Sequence, residues 1–122
     1  MQSMRSVGND YEDRAAKLIE GRGLQLLERN FSCKTGEIDL IAQDGTHLVF
    51  IEVRARGNRY FDSAAGSVDS RKQHRIVRTA QLYLQRRPQW ANTPCRFDVI
   101  AFEPAQSGTG PRVRWIRGAF TA

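Results

Sequence analysis

With 122 residues, 40% hydrophobic and 26% charged, the chain fits one globular domain, too short for two ordinary domains and too apolar for a disordered polyelectrolyte. No apolar run approaches the ~18 residues of a membrane-spanning helix, and the first residues lack the apolar core of a secretory signal, so a single cytoplasmic domain, 1–122, is expected, with 1–8 as a loose tail. The formal charge of +6 is concentrated: Arg54 to Arg87 hold nine Arg or Lys against two Asp, while the remainder holds ten basic residues against eleven acidic ones.

The first helix is expected over Asp10–Arg22. Asn9 is its candidate N-cap, forming a capping box with Glu12, and Asp10, Glu12 and Asp13 suit the positive end of the helix dipole. Tyr11, Ala15, Leu18 and Ile19 recur at helical spacing, and Gly21 and Gly23 supply the stop. Three strands follow, at 24–31, 36–43 and 47–55, the last two joined by an Asp44-Gly45 hairpin turn. The segment 56–67, rich in Gly, Ser and Ala, is a connection that shapes a site rather than a regular element.

A second helix is expected over Asp69–Arg87, ended by Pro88. Ile76, Val77, Ala80, Tyr83 and Leu84 share one side of it and Arg71, Arg75 and Arg78 the opposite side, with Lys72 and Arg86 flanking. Gln73 stands out, a polar residue in the apolar face. A strand at 95–103, a turn at 105–111 and an edge strand at 112–120 complete the chain. The order α-β-β-β-α-β-(β) describes an α/β fold in which a strand–helix–strand unit makes a parallel crossover in a mixed sheet.

The basic window is the electrostatic footprint of a phosphate-backbone binder, Arg56, Arg71, Lys72, Arg75 and Arg78 being its candidate contacts. Its bland counterpart is a solvated helix face. The basic residues are 16 Arg and 3 Lys, which suits bidentate phosphate contacts, although a GC-rich genome gives the same bias. Cys33 and Cys95 show no zinc-ligand spacing and read as reduced thiols. His47 and His74 read as surface residues, Trp90, Trp115 and Phe120 as core or interface, and Asp98 as a structural partner for an Arg.

Charges inside the apolar runs "GEIDLIAQ" and "HLVFIEVRA" need compensation. Side chains alternate along a strand, so Glu37 and Asp39 share a face, as do Glu52 and Arg54. A two-residue Asp44-Gly45 turn pairs Gln43 with Thr46. It thereby sets Glu37 opposite Glu52 and Asp39 opposite Phe50, with Asp39 diagonal to Glu52. An odd loop would split these acids between faces. Acids clustered in this way suit a hard divalent cation, Mg²⁺ or Mn²⁺, with Asp39 and Glu52 as first ligands and Glu37 and Glu12 within reach. Glu37 could equally pair with an Arg, and Gln73 could be a satisfied core amide or a water-orienting residue.

The stretches "YEDRAAKLIEGRGLQLLERNF", "GEIDLIAQDGTHLVFIEVRAR", "SVDSRKQHRIVRTAQLYL", "CRFDVIAFE" and "WIRGAF" resemble the YraN family, of the PD-(D/E)xK restriction-endonuclease-like superfamily and similar to Holliday-junction resolvases. The resemblance implies a restriction-endonuclease-like fold and a metal-dependent nuclease acting on DNA, branched or damaged DNA included, with a homodimer by analogy. It assigns Asp39 and Glu52 to the metal-binding acids, Glu12 to the helix glutamate and Gln73 to the KQ helix segment. Arg54 stands where the superfamily usually has lysine. An arginine stabilises charge but cannot act as a base. The alternatives are a nucleic-acid-binding module without catalysis and an adaptor whose basic helix meets an acidic protein.

Overall fold

The structure, a computed structural model, describes residues 7–55, 68–103 and 112–122, with side chains from residue 10 onward. The expected Gly/Ser-rich connection, including Arg56, and the 105–111 turn lie outside the described residues.

Among the described residues seven principal elements follow in order: α1 (Val7–Gly21), β1 (Gln25–Cys33), β2 (Gly36–Asp44), β3 (His47–Ala55), α2 (Ser70–Arg86), β4 (Cys95–Glu103) and β5 (Arg112–Phe120). A short 3-10 turn, Pro88–Trp90, joins α2 to β4. The strands form one sheet in sequence order, β1-β2-β3-β4-β5. β3 and β4 are parallel, as the α2 crossover requires, and the other three pairs are antiparallel. The chain is therefore α/β with a mixed five-stranded sheet and two helices.

α1 begins at Val7, inside the stretch expected as tail. Asn9 is thus a helical residue and not the N-cap. The C-terminus behaves as the glycines require. Leu24 N–H donates to Ile19 O and Gly23 N–H to Glu20 O, with Gly23 at φ 93°. This is a Schellman ending, in which the left-handed residue is glycine because a Cβ would strain it. Leu24 and Ile19 then pack in the same core layer. α2 is capped by Asp69, whose carboxylate accepts the Lys72 amide at 2.9 Å.

The sheet is covered on both faces. One layer, with Phe31, Ile38, Ile41, Phe50, Ile76, Tyr83, Phe97 and Val99, lies against α2. The other, with Ala15, Ile19, Leu40, Val49, Ile51 and Ile100, lies against α1. Double coverage explains the unbroken burial of Ile38–Ala42 and Leu48–Glu52, where a one-sided sheet would alternate. Thr79, not foreseen in the apolar stripe, is fully buried, its hydroxyl satisfied by Thr35 Oγ1 at 2.9 Å and by Arg75 O at 2.8 Å.

Asp98 is the most completely buried charge, and its expected Arg partner is Arg96. Arg96 donates Nε to Oδ1 at 2.9 Å and Nη2 to Oδ2 at 3.1 Å. Trp115 Nε1 and the Gly118 amide each add a bond of 2.9 Å. Arg96 also reaches Asp44 at 3.0 Å, so one network ties the β2–β3 turn to the β4–β5 edge.

Candidate active site

The β2–β3 hairpin delivers the acids, but through a different turn from the expected one. Asp44 pairs with His47, so the two loop residues are Gly45 and Thr46. Gly45 has φ 59°, whereas Asp44 has no positive φ. A turn needing a left-handed residue only at its first central position places its glycine there. An Asp44-Gly45 turn of the mirror-type I form would have forced Asp44 left-handed as well.

The loop keeps two residues, so the shared face survives, but every residue's partner moves by two positions. Ile41, not Asp39, lies opposite Phe50, and Leu40 lies opposite Ile51. The pairing stops there, with Asp39 the next residue of β2 and Glu52 the next of β3, so Glu37 no longer stands opposite Glu52. Glu37 is exposed, whereas Asp39 and Glu52 are only 8% and 4% exposed.

The sheet forks at this pair. The β2–β3 pairing ends at Leu40↔Ile51. Beyond it, Gly36–Ile38 pair with β1, and Glu52–Ala55 pair with β4. Asp39 fills the fork: its Oδ2 accepts the Val53 amide at 2.8 Å, in place of a ladder carbonyl. A local rotation of β2, matched by an irregular residue in β1, prepares this geometry. Ile38 and Leu40 would share a face in a regular strand, yet they occupy opposite core layers. Across from Asp39, between Arg29↔Leu40 and Phe31↔Ile38, sits Asn30 at φ 55°, the one non-glycine with positive φ among the described residues.

The electrostatics of the pair are asymmetric. Burial, and then the charge of Glu52, push the Asp39 carboxyl up from 3.8 to about 8. The Val53 amide opposes the shift, and Glu12 and Glu37 add to it. Glu52, by contrast, has cations at hand. Lys72 Nζ of α2 lies 3.1 Å from Glu52 Oε2, and Arg54 Nη1 lies 3.4 Å from the same oxygen. Lys72 was expected on the backbone-binding face; the first turn of α2 instead turns it onto the acid. Nothing local to position 72 signals this, because the contact spans the crossover between β3 and α2.

The other candidates fall around this centre. Glu12 of α1 is nearly buried and faces Arg29 at 3.6 Å, with its Oε1 making no hydrogen bond. Gln73 is half-buried, and its Nε2 donates to Val68 O at 3.1 Å, holding the approach to α2. Arg71, Arg75 and Arg78 are exposed and line a groove along α2 with Ser70 and His74. Among the described residues no three acids, His or Cys converge as ligands for one ion, although Glu12 and Glu37 are near enough to raise the Asp39 carboxyl further. No helix among the described residues is long and apolar enough to cross a membrane.

A UPF0102 protein of Pseudomonas entomophila is 46% identical over 93% of this chain and 92% of its own length. One of Alcanivorax borkumensis is 46% identical over 98% and 95%, and one of Pseudomonas aeruginosa PAO1 is 40% identical over 99% and 97%. The profile described as "Uncharacterised protein family UPF0102" matches residues 11–102, so the chain belongs to the UPF0102 family, the YraN family of its motifs.

Proposed function

We propose that the chain is a metal-dependent nuclease-like protein that hydrolyses phosphodiesters of DNA on a restriction-endonuclease-like fold. The observation that carries this reading is the buried Asp39–Glu52 pair at the sheet fork, faced by Lys72 and Arg54. The element order and the basic face of α2 support it.

The donor set fits a hard divalent cation. Two carboxylates suffice for Mg²⁺ or Mn²⁺ when water and substrate phosphate complete the shell. Asp39, destabilised as an anion by burial and by its acidic neighbours, is a group that a cation would relieve. Asp39 and Glu52 would hold the ion, and Glu12, whose Oε1 lies 3.6 Å from Arg29 Nη2, would reach it only through a water. When bound, the ion supplies Lewis-acid stabilisation of the phosphate and a more acidic water.

The chain's own groups do the rest. The Val53 amide fixes the Asp39 carboxylate in the plane of the fork. Lys72 and Arg54 orient Glu52 and add positive charge where a phosphorane-like transition state gains negative charge. Of the two, only Lys72 can give or take a proton, so the chemistry closed to Arg54 remains open to the site. Arg71, Arg75 and Arg78 hold the backbone along α2. Arg56, beyond the described residues, extends the same charge in sequence.

A second reading, a nucleic-acid-binding module without catalysis, has one observation in its favour: Lys72 and Arg54 already compensate Glu52 without a metal. Incubation with duplex and branched DNA, with and without Mn²⁺, separates the two. Manganese-dependent cutting that Asp39→Asn and Glu52→Gln abolish supports the nuclease. Salt-sensitive binding without cutting supports the module.

A further inference from the structure

Lys72 stands where a cation for Glu52 belongs, and its place in the chain lets it leave. Its backbone is fixed, because the Lys72 amide donates to the Asp69 carboxylate at 2.9 Å as part of the α2 cap. Its side chain is 28% exposed, so the flexible four-carbon stem has a path toward solvent while the helix stays in place. Arg54, 3.4 Å from the same oxygen, lies two residues from Glu52 on β3 and moves with that strand.

The charges favour an exchange. Asp39 and Glu52 are both buried, so water screens charges beside them weakly. The ammonium is 3.1 Å from Glu52 Oε2, a direct ion pair on one carboxylate. A divalent ion at the fork has charge enough for both carboxylates. Two cations packed against one buried oxygen repel each other, so the ion and the ammonium exclude one another from Oε2.

We propose that Lys72 sets the metal affinity of the acid pair: it holds Glu52 in metal-free protein, competes with a divalent ion for that acid, and swings off when the ion binds. This rests on the metal part of the proposed function and goes beyond it, because it gives control of loading to one side chain of α2. The observed metal affinity is then the intrinsic affinity reduced by the fraction of molecules in which the lysine has left Glu52.

The test reads metal binding in the absence of DNA. Mn²⁺ is titrated into the protein, and the free ion is counted by its electron paramagnetic resonance signal. Lys72→Met is expected to bind Mn²⁺ about three- to tenfold more tightly than the wild-type protein. Two controls are expected to stay within about twofold of wild type: Lys72→Arg, which keeps the competing charge, and Lys34→Met, which removes a lysine from the exposed β1–β2 turn. A second readout follows release of the lysine. Lys17, Lys34 and Lys72 are the chain's three lysines, so acetylation by an N-hydroxysuccinimide ester is resolved site by site in peptide mass spectra. Saturating Mn²⁺ is expected to raise acetylation of Lys72 at least about twofold and to leave the exposed Lys17 and Lys34 unchanged. Unchanged or weaker Mn²⁺ binding in Lys72→Met overturns the exchange, and so does an equal gain in either control or Lys72 acetylation that ignores bound Mn²⁺. In each of those cases the metal site itself still stands. No bound Mn²⁺ in either the wild-type protein or Lys72→Met overturns the metal reading, and the exchange with it.

Discussion

Lys72 Nζ of α2 and Glu52 Oε2 of β3 are 3.1 Å apart, so a helix supplies the acid pair with the lysine that strand β3 lacks. The pair is formed across the β3–α2 crossover, and it makes the first turn of α2 part of the candidate site. Lys72→Met is expected to lower any DNA-cutting rate about 10²–10⁴-fold, the usual range for a lost proton-transferring group. Its cost in stability is expected at about 0–1 kcal/mol, because the lysine is partly solvated and Arg54 stays beside Glu52. Lys72→Arg restores charge without a transferable proton. Full recovery of rate in Lys72→Arg would rule out the proton-transfer role and leave only electrostatics.

Asp39 gives the fold a pH dependence of definite sign. Its folded value, about 8, lies above its ordinary 3.8, so the folded chain holds a proton that the unfolded chain releases. The corresponding stability is fully present below about pH 4 and is lost as pH rises through about 8. Metal-free protein is therefore expected to melt at lower temperature at pH 8.5 than at pH 6, with Asp39→Asn flattening the trend. At the alkaline end Asp39→Asn is expected to be the more stable by about 2–5 kcal/mol. Thermal melts of both proteins across this range check it, and parallel curves would contradict it.

Asp98 is expected to be the costliest acid to remove. It is fully buried and takes four hydrogen bonds, two from Arg96 and one each from Trp115 and Gly118. Asp98→Ala strands the Arg96 guanidinium and is expected to destabilise by about 3–5 kcal/mol, read as a shifted urea midpoint. A change under 1 kcal/mol would mean that solvent or Asp44 replaces the lost partner.

Much of this architecture is legible in the residues. Both helices, all five strands and the parallel crossover follow from periodicity, turn chemistry and Pro88, because those signals are local. The Asp44-Gly45 dipeptide announces a hairpin but not which residue leads the turn, and that choice decides which residues stand opposite each other. The rotation at Asn30 and Asp39 breaks the alternation on which the face assignments depended. Lys72 reads as one more cation on a basic helix, because its distinguishing contact lies in tertiary packing. Asn9 has the chemistry of an N-cap, yet the helix starts before it.

The central claim is that Asp39 and Glu52 form a divalent-cation site. A crystal soaked in Mn²⁺ and measured for anomalous scattering tests it most directly. The account predicts an anomalous peak bridging Asp39 and Glu52 at the fork, lost in crystals of Asp39→Asn. A fork without a peak, with Lys72 still holding Glu52 in manganese-soaked crystals, would contradict it.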